Sequence, residues 1–251
     1  MSATPFDGEP VTLNNSGTPI APQVACVSTI SPNSPTYSAS PTSSRSSSRP
    51  FPFVDRTDEV HFDTEFGMIG MAFHPNFAQN ARFFASFNCD KAKWPGCTGR
   101  CSCNSDVNCD PSKLGPDNGA PPCQYQTVIA EYTANGTASQ PSLATSAKPV
   151  EVRRIFTMGL PFTSHHGGQI LFGPKDGHLY LMIGDGGGVG GGPYNFSQNK
   201  KSLLGKIMRL DVNNIPSEAE IDKLGLWGNY SIPKDNPYKE DLELQPEIWT
   251  L

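Results

Sequence analysis

The sequence predicts an all-β fold of short strands, and two observations support this. First, 24 Gly and 24 Pro residues divide the 251-residue chain into short pieces, which favours tight turns over long helices. Second, the apolar residues gather in eight short segments, several of which alternate between apolar and polar positions as half-buried strands do. Strand pairs joined by Gly- and Asp-containing turns favour a β-propeller or a β-sandwich.

The eight predicted strands follow one another closely along the chain. They are Met68–Phe73, Arg82–Phe87, Thr127–Tyr132, Val150–Phe156, Gln169–Phe172, Leu179–Ile183, Lys206–Val212 and Glu247–Leu251. The segment from Leu179 to Ile183 is apolar on both faces, which indicates a strand packed between two layers. One short helix is predicted from Ser217 to Leu224, because Ser217 is a good N-cap and acidic residues occupy the first turn.

Six of the seven cysteines lie between Cys89 and Cys123, in a segment rich in Pro, Gly, Asn and Asp. So polar a segment has little apolar surface to bury, and the even count predicts three disulfides in an oxidising compartment, with the pairing left open. Zinc is the weaker alternative, because CTGRCSC lacks a pair of CxxC knuckles and no His lies within the cluster. The remaining cysteine, Cys26, has no obvious partner.

The first 50 residues form a low-complexity region that we expect to be disordered. From Ser28 to Pro50, 17 of 23 residues are Ser, Thr or Pro, so this segment buries too little apolar area to offset its ordering entropy. The ordered domain is expected at 51–251, with a Cys-rich insert at 88–124. The N-terminus has neither the basic nor the apolar part of a signal peptide, so we expect the chain to be a fragment lacking its true N-terminus.

Charge and hydropathy argue against two kinds of partner. A net charge of −5 and a pI near 5.5, without basic clusters, argue against nucleic acid. No run of 18 apolar residues exists, so no membrane-spanning segment is predicted. The cysteine pattern, with glycosylation sequons at Asn135, Asn195 and Asn229, favours a secreted or cell-surface glycoprotein.

A glycine run from Gly184 to Gly192 contains a formal GxGxxG pattern between Gly186 and Gly191. A dinucleotide site needs a helix N-terminus directly after these glycines to hold the pyrophosphate. Here Pro193 and a turn-like PYNFS follow instead, and no GK[ST] is present. The sequence therefore argues against both a Rossmann site and a P-loop.

The neighbouring residues His165 and His166 are the clearest candidates for chemistry. On a strand their side chains point in opposite directions, so they are poorly placed to share a metal, and no metal site is predicted. One of them can face a cleft as a general base, whereas a His that only caps a turn is the structural alternative. Asp185 ends the next strand and could hold one tautomer of that ring. His74 is expected to support a turn before Pro75.

Four segments in order resemble the glucose/sorbosone dehydrogenase family, which is built on a six-bladed β-propeller carrying pyrroloquinoline quinone (PQQ). They are GMIGMAFHPNF (67–77), HHGGQILFGP (165–174), LYLMIGDGG (179–187) and SLLGKIMRLDV (202–212). The cysteine insert and LWGNYSIPKDNP (226–237) resemble the plant hedgehog-interacting-protein-like branch. At 40 to 50 residues a blade, about 200 matched residues imply two to four blades, hence a partial propeller that we expect to be inactive alone.

The resemblance implies that an aldose is oxidised at its anomeric hydroxyl, with hydride transfer to PQQ. His165 matches the catalytic base and a cofactor contact of the family, Asp185 matches the residue that orients this base, and Glu65 matches a quinone-contacting Gln. The family's calcium ligands and its Arg-Asn pair on the quinone correspond to sequence after Leu251.

Two departures support an alternative function. The negative charge of Glu65 is unfavourable beside an anionic cofactor, and Ser164 stands where bacterial enzymes often have Asp before the base. The resemblance therefore leaves a second hypothesis, a secreted, non-catalytic propeller that binds a ligand or protein in the manner of hedgehog-interacting proteins. The sequence does not identify the sugar or the electron acceptor.

Overall fold

The computed structural model describes residues 53–63, 65–135, 144, 146–188 and 194–250, and these residues are mostly β-sheet, as predicted. The predicted disordered region 1–50, which includes Cys26, and residues 189–192 of the glycine run lie outside these ranges. The strands are β1 (Met68–Phe73), β2 (Arg82–Asp90), β3 (Arg100–Cys101), β4 (Tyr125–Thr133), β5 (Arg153–Gly159), β6 (Gly167–Phe172), β7 (Leu179–Ile183), β8 (Ile207–Leu210) and β9 (Ile248–Thr250). The helices are α1 (Phe77–Asn80) and α2 (Glu218–Leu224).

The strands form two sheets, with the orders β1-β2-β4-β5-β3 and β6-β7-β8-β9. Each sheet contains a meander of four antiparallel strands that pair in the order in which they follow one another along the chain. The connection between β2 and β4 is the cysteine insert, and the long connection between β8 and β9 contains α2. The two-residue strand β3 comes from that insert and pairs in parallel with β5. Four-stranded meanders are the repeating unit of a β-propeller, while the number of blades stays a prediction.

The two sheets pack against each other where β1 meets β6. Gly70 permits this approach, since a Cβ there would lie 3.3 Å from the backbone nitrogen of Ile170. One core fills the space around the second sheet and the facing side of the first, including Phe84, Ile170 and Leu181. A second core covers the opposite face of the first sheet and includes Phe87. Strands β2 and β4 are therefore buried on both faces, so neither strand has a face that is exposed to solvent.

A buried ionic cluster joins the two sheets at their other end. Glu131 on β4 accepts hydrogen bonds from Arg82 at 2.6 Å and from Arg153 at 2.5 Å. Both guanidinium groups also donate to the carbonyl of Val212, which follows β8, at 3.0 and 3.3 Å. Because Glu131 is 4% exposed, its charge is balanced by these two cations rather than by water.

The predicted helix is present as α2. Ser217 caps it in a capping box, in which Glu220 reaches back to the backbone nitrogen of Ser217 at 2.9 Å. The four-residue helix α1 was not predicted, because so short an element shows no helical periodicity. None of the described helices is long and apolar enough to cross a bilayer.

Three disulfides are present in the insert, as the cysteine count predicted. The pairs are Cys89–Cys97, Cys101–Cys123 and Cys103–Cys109. The insert carries short 3-10 turns, one of them capped by Asn104, whose side chain accepts from the backbone nitrogen of Asp106 at 2.9 Å. Covalent links thus take the place of an apolar core in this segment.

Candidate active site

His165 lies directly before β6, on an exposed rim of the second sheet. Its backbone is left-handed, with φ +57°, which is uncommon for a residue with a side chain. Its side chain is 60% exposed, whereas His166 is 2% exposed and points into the protein. The two rings therefore point to opposite sides, and only the ring of His165 is open to a ligand.

Asp185 lies two residues after the end of β7, and its carboxylate reaches the ring of His165. Oδ1 of Asp185 is 3.0 Å from Nδ1 of His165 and also accepts the backbone N–H of Gly187 at 3.0 Å. Because a carboxylate only accepts hydrogen bonds, Nδ1 carries the hydrogen and Nε2 is left as the basic nitrogen.

The two chain segments can approach so closely only because Gly184 has no side chain. A Cβ at Gly184 would lie 2.2 Å from the carbonyl oxygen of His165. Backbone hydrogen bonds use the space instead. Gly184 donates to the carbonyl of His166 at 2.9 Å, and Gly186 donates to the carbonyl of His165 at 3.1 Å. Gly184 and Gly186 thus serve the packing of this rim, which explains both glycines without a nucleotide site.

Glu65 joins the same rim from the first sheet. Its Oε2 accepts the backbone N–H of His165 at 2.5 Å, across 100 residues of sequence. The structure thus brings together all three residues that the sequence analysis singled out, His165, Asp185 and Glu65. Within the described chain, neither carboxylate forms an ion pair with Lys or Arg, so this part of the rim is acidic.

Sequence reasoning missed Lys206, whose ammonium group is buried beneath this rim. Its Nζ donates to the backbone carbonyls of Phe196 at 3.2 Å, Ser197 at 2.7 Å and Leu204 at 3.0 Å. Burial lowers the pKa of Lys206 to about 8. The neighbouring Gly205 donates to the carbonyl of Gly184 at 2.7 Å, so Lys206 supports the segment that carries Asp185. A single Lys before a strand gives no sequence signal of such burial.

Two other histidines have structural roles. His74 supports a turn, as expected, since its Nδ1 accepts the backbone N–H of Asn76 at 3.0 Å. His61 is half-buried, and its ring stacks on that of Tyr125 at 4.6 Å. Burial lowers the pKa of both rings. In the part of the chain that is described, no group of three His, Cys, Asp or Glu residues is arranged to hold a metal ion.

The geometry thus defines a protein of paired antiparallel sheets with an exposed His–Asp pair at one rim. A family model described as Glucose / Sorbosone dehydrogenase matches residues 44–251. The chain belongs to the glucose/sorbosone dehydrogenase family.

Relatives in this family carry different kinds of names. The chain is 82% identical over 200 residues to the HIPL1 protein of Arabidopsis thaliana, covering 80% of this chain and 28% of that protein. It is 26% identical over 190 residues to the human Hedgehog-interacting protein, covering 74% of this chain and 21% of that protein. It therefore spans less than a third of either relative.

Among solved structures, the chain is similar to the soluble aldose sugar dehydrogenase of Escherichia coli in its apo form. The sequence identity is 20%, and the match covers 76% of this chain and 39% of the other, with a TM-score of 0.44.

Proposed function

We propose that the longer protein containing this sequence is a quinoprotein-type oxidoreductase that oxidises the anomeric hydroxyl of an aldose, with His165 as the general base. Membership of the glucose/sorbosone dehydrogenase family supports the class of reaction. The observation that carries the role of His165 is its 3.0 Å contact with Asp185 on an exposed rim. This chain by itself comprises two sheets and is inactive under the proposal.

In this reaction His165 takes the hydroxyl proton on Nε2, because Asp185 keeps the hydrogen of the neutral ring on Nδ1. Asp185 also stabilises the imidazolium that forms, since its carboxylate lies beside the nitrogen that already carries a hydrogen. General-base catalysis of this kind contributes on the order of 10² to 10⁴ in rate. The exposed side chain of His165 is open to a sugar from the solvent side.

PQQ would supply the hydride acceptor when bound, and His165 and Glu65 are the residues of this chain that would lie beside it. The chemistry of the rim fits this group at His165, where an exposed imidazole is already oriented. It fits less well at Glu65, because a carboxylate faces a cofactor that carries several carboxylates itself. Calcium would have to be held by residues outside this chain, under the same family proposal.

The three disulfides support a secreted or cell-surface location, because such bonds persist in oxidising compartments. Glycosylation at Asn135 or Asn195 belongs to the same proposal, and both are exposed. Asn229 is less suited, since its Nδ2 donates to the backbone carbonyl of Arg154 at 2.6 Å.

A second candidate function is a non-catalytic module that binds a protein or other ligand. The specific observation in its favour is the acidic rim, where Glu65 and Asp185 flank His165 with no Lys or Arg paired to either in the described chain. The 26% identity to the human Hedgehog-interacting protein adds support. Such a rim suits a basic partner surface better than an anionic cofactor.

The deciding experiment uses the longer protein, produced through a secretory pathway and supplied with PQQ and calcium. Quinone binding is measured by calorimetry, and sugar oxidation is measured with a redox dye. His165→Ala is expected to abolish oxidation while quinone binding persists. His178→Ala serves as a matched control, because His178 is a half-buried histidine in the turn before β7. A folded protein that binds no quinone would replace the dehydrogenase with the binding module.

A further inference from the structure

Two pairs of neighbouring residues join the sheets at the candidate site, one pair on each side of the backbone. On the outer side, Glu65 accepts the backbone N–H of His165 at 2.5 Å. On the inner side, the next residues of both segments stack, with the rings of Phe66 and His166 4.4 Å apart and 13° from parallel. Each segment therefore contributes one residue to the exposed rim and one to a buried ring stack.

The buried stack is firmly anchored in the first sheet. Phe66 is 5% exposed, and its ring lies 4.4 Å from that of Tyr125 on β4. Tyr125 in turn stacks on His61 at 4.6 Å, so that four rings lie in continuous contact. Aromatic pairs in stacked and tilted arrangements of this kind stabilise one another beyond the apolar area that they bury.

His166 is fixed in this stack as a neutral ring. Its Nε2 lies 3.3 Å from the carbonyl oxygen of Phe162, to which a neutral ring donates when Nε2 carries the hydrogen. Burial lowers the pKa of His166, and the backbones of Phe162 and Glu65 and the charge of Glu65 only partly oppose this shift. The ring therefore adds no positive charge behind His165 at neutral pH.

His165 depends on such external support. Its left-handed backbone is held only where neighbouring contacts determine it, and its own exposed ring has one hydrogen-bond partner, Asp185. The peptide that links it to His166 is the connection from the rim to the buried rings.

We infer that His166, stacked on Phe66, is a positioning residue that holds His165 opposite Asp185 and Glu65. The inference deepens the proposed function, because it concerns the residue proposed as the base. It gives His166 a role through geometry rather than through contact with substrate. The aromatic ring, rather than the hydrogen bond to Phe162, supplies most of the support, because the 3.3 Å contact is long.

The test compares two variants of the longer protein. His166→Phe keeps a ring that can stack on Phe66, whereas His166→Ala removes it. The ¹⁵N signals of the His165 ring report its tautomer whether or not the protein turns over a sugar. Hydrogen exchange in β7 checks that each variant is folded.

We expect His166→Ala to lose the Nδ1–H preference of His165 and at least ten-fold in kcat, and His166→Phe to restore both. If His166→Ala does not fold, Phe66→Leu removes the partner ring and is expected to give the same loss. If folded His166→Ala or Phe66→Leu kept the parent tautomer of His165, the inference would be overturned. It would also be overturned if His166→Phe restored neither the tautomer nor kcat relative to His166→Ala. A changed tautomer without any sugar oxidation in the parent protein would leave the positioning role standing and reject the proposed function.

Discussion

Oδ1 of Asp185 lies 3.0 Å from Nδ1 of His165, and the same oxygen receives the backbone N–H of Gly187 at 3.0 Å. The backbone of its own loop therefore orients the carboxylate, and the carboxylate in turn orients the imidazole. The orientation of the imidazole matters because a base is effective only when the correct nitrogen is free. Gly184 makes the arrangement sterically feasible, because a Cβ there would lie only 2.2 Å from the carbonyl oxygen of His165.

Asp185→Asn tests this dependence. The amide oxygen can take the place of Oδ1 and accept from both Gly187 and Nδ1, but the negative charge that stabilises the imidazolium is removed. We expect kcat for sugar oxidation by the longer protein to fall about 10²-fold or more, with little change in the free energy of unfolding. Steady-state kinetics with chemical denaturation measures both quantities.

The matched control is Asp176→Asn, which alters another carboxylate of the second sheet, one that contacts Tyr180 and Arg209. This control is expected to change stability rather than kcat. Wild-type kcat in Asp185→Asn would contradict the assignment of His165 as a base that Asp185 orients.

Local patterns predicted the strands but not their partners. Met68–Phe73 and Leu179–Ile183 begin and end where their apolar patterns predict, because strand alternation is a local property. The prediction for Val150–Phe156 began too early, since Val150 and Val152 are exposed, at 72% and 57%, and β5 begins at Arg153. An apolar residue on the surface cannot be distinguished from a core residue by sequence alone.

The candidate site was only partly predictable for the same reason. His165 precedes β6 and Asp185 follows β7, the two neighbouring strands of one hairpin, so their approach follows from local topology. The contact between Glu65 and His165 crosses two sheets, and the neighbouring residues Phe66 and His166 meet in a buried ring stack that no local pattern predicts. The pairing of the cysteines was equally open, because spacing alone does not select one connectivity.

Glu65→Gln tests the electrostatic disagreement at the rim. The amide oxygen can still accept the backbone N–H of His165, while the negative charge is removed. If PQQ binds beside this residue, we expect its affinity for the longer protein to rise several-fold, because a like charge is removed from its surroundings. Calorimetry at low and high salt measures the change, which should shrink as salt screens the interaction.

Glu240→Gln is the control, since Glu240 is an exposed carboxylate paired only with Lys239. If both substitutions changed the affinity for PQQ equally, Glu65 would act through the net charge of the protein and not through its closeness to the cofactor. Weaker quinone binding in Glu65→Gln would contradict the prediction outright.

The disulfides should stabilise the insert without supporting the second sheet. Loss of Cys101–Cys123, which closes 22 residues, is expected to cost about 3 kcal/mol, against about 2 kcal/mol for Cys103–Cys109, which closes only 6. Paired Cys→Ser variants and denaturant unfolding measure this difference. Under reducing conditions, amide exchange should increase in 97–124 and stay slow in β7. Equal increases in both regions would refute the independence of the insert.

The final prediction concerns Glu247, a carboxyl group with no solvent exposure. Its Oε1 accepts the hydroxyl of Tyr230 at 2.7 Å, and it forms no ion pair within the described residues. Burial raises the pKa of Glu247, so the folded protein binds this proton more tightly than the unfolded chain does. The resulting stabilisation is complete below the unfolded pKa of about 4.3 and is lost as pH rises through the higher folded pKa.

Glu247→Gln should remove this pH dependence, because Gln can still accept from Tyr230 and never ionises. We expect the free energy of unfolding of the variant, relative to the parent, to increase as pH rises above the unfolded pKa of about 4.3 and to level off above the folded pKa. Urea unfolding at several pH values measures this difference in the free energy of unfolding. The loss of stability in acid that buried His166 causes cancels in the difference, because both proteins retain that residue. The control is Glu243→Gln. Glu243 is exposed, so this substitution should give no such trend. Parallel pH curves for Glu247→Gln and the parent would mean that Glu247 is charged in the folded state, and a cation outside the described residues would then be needed to balance it.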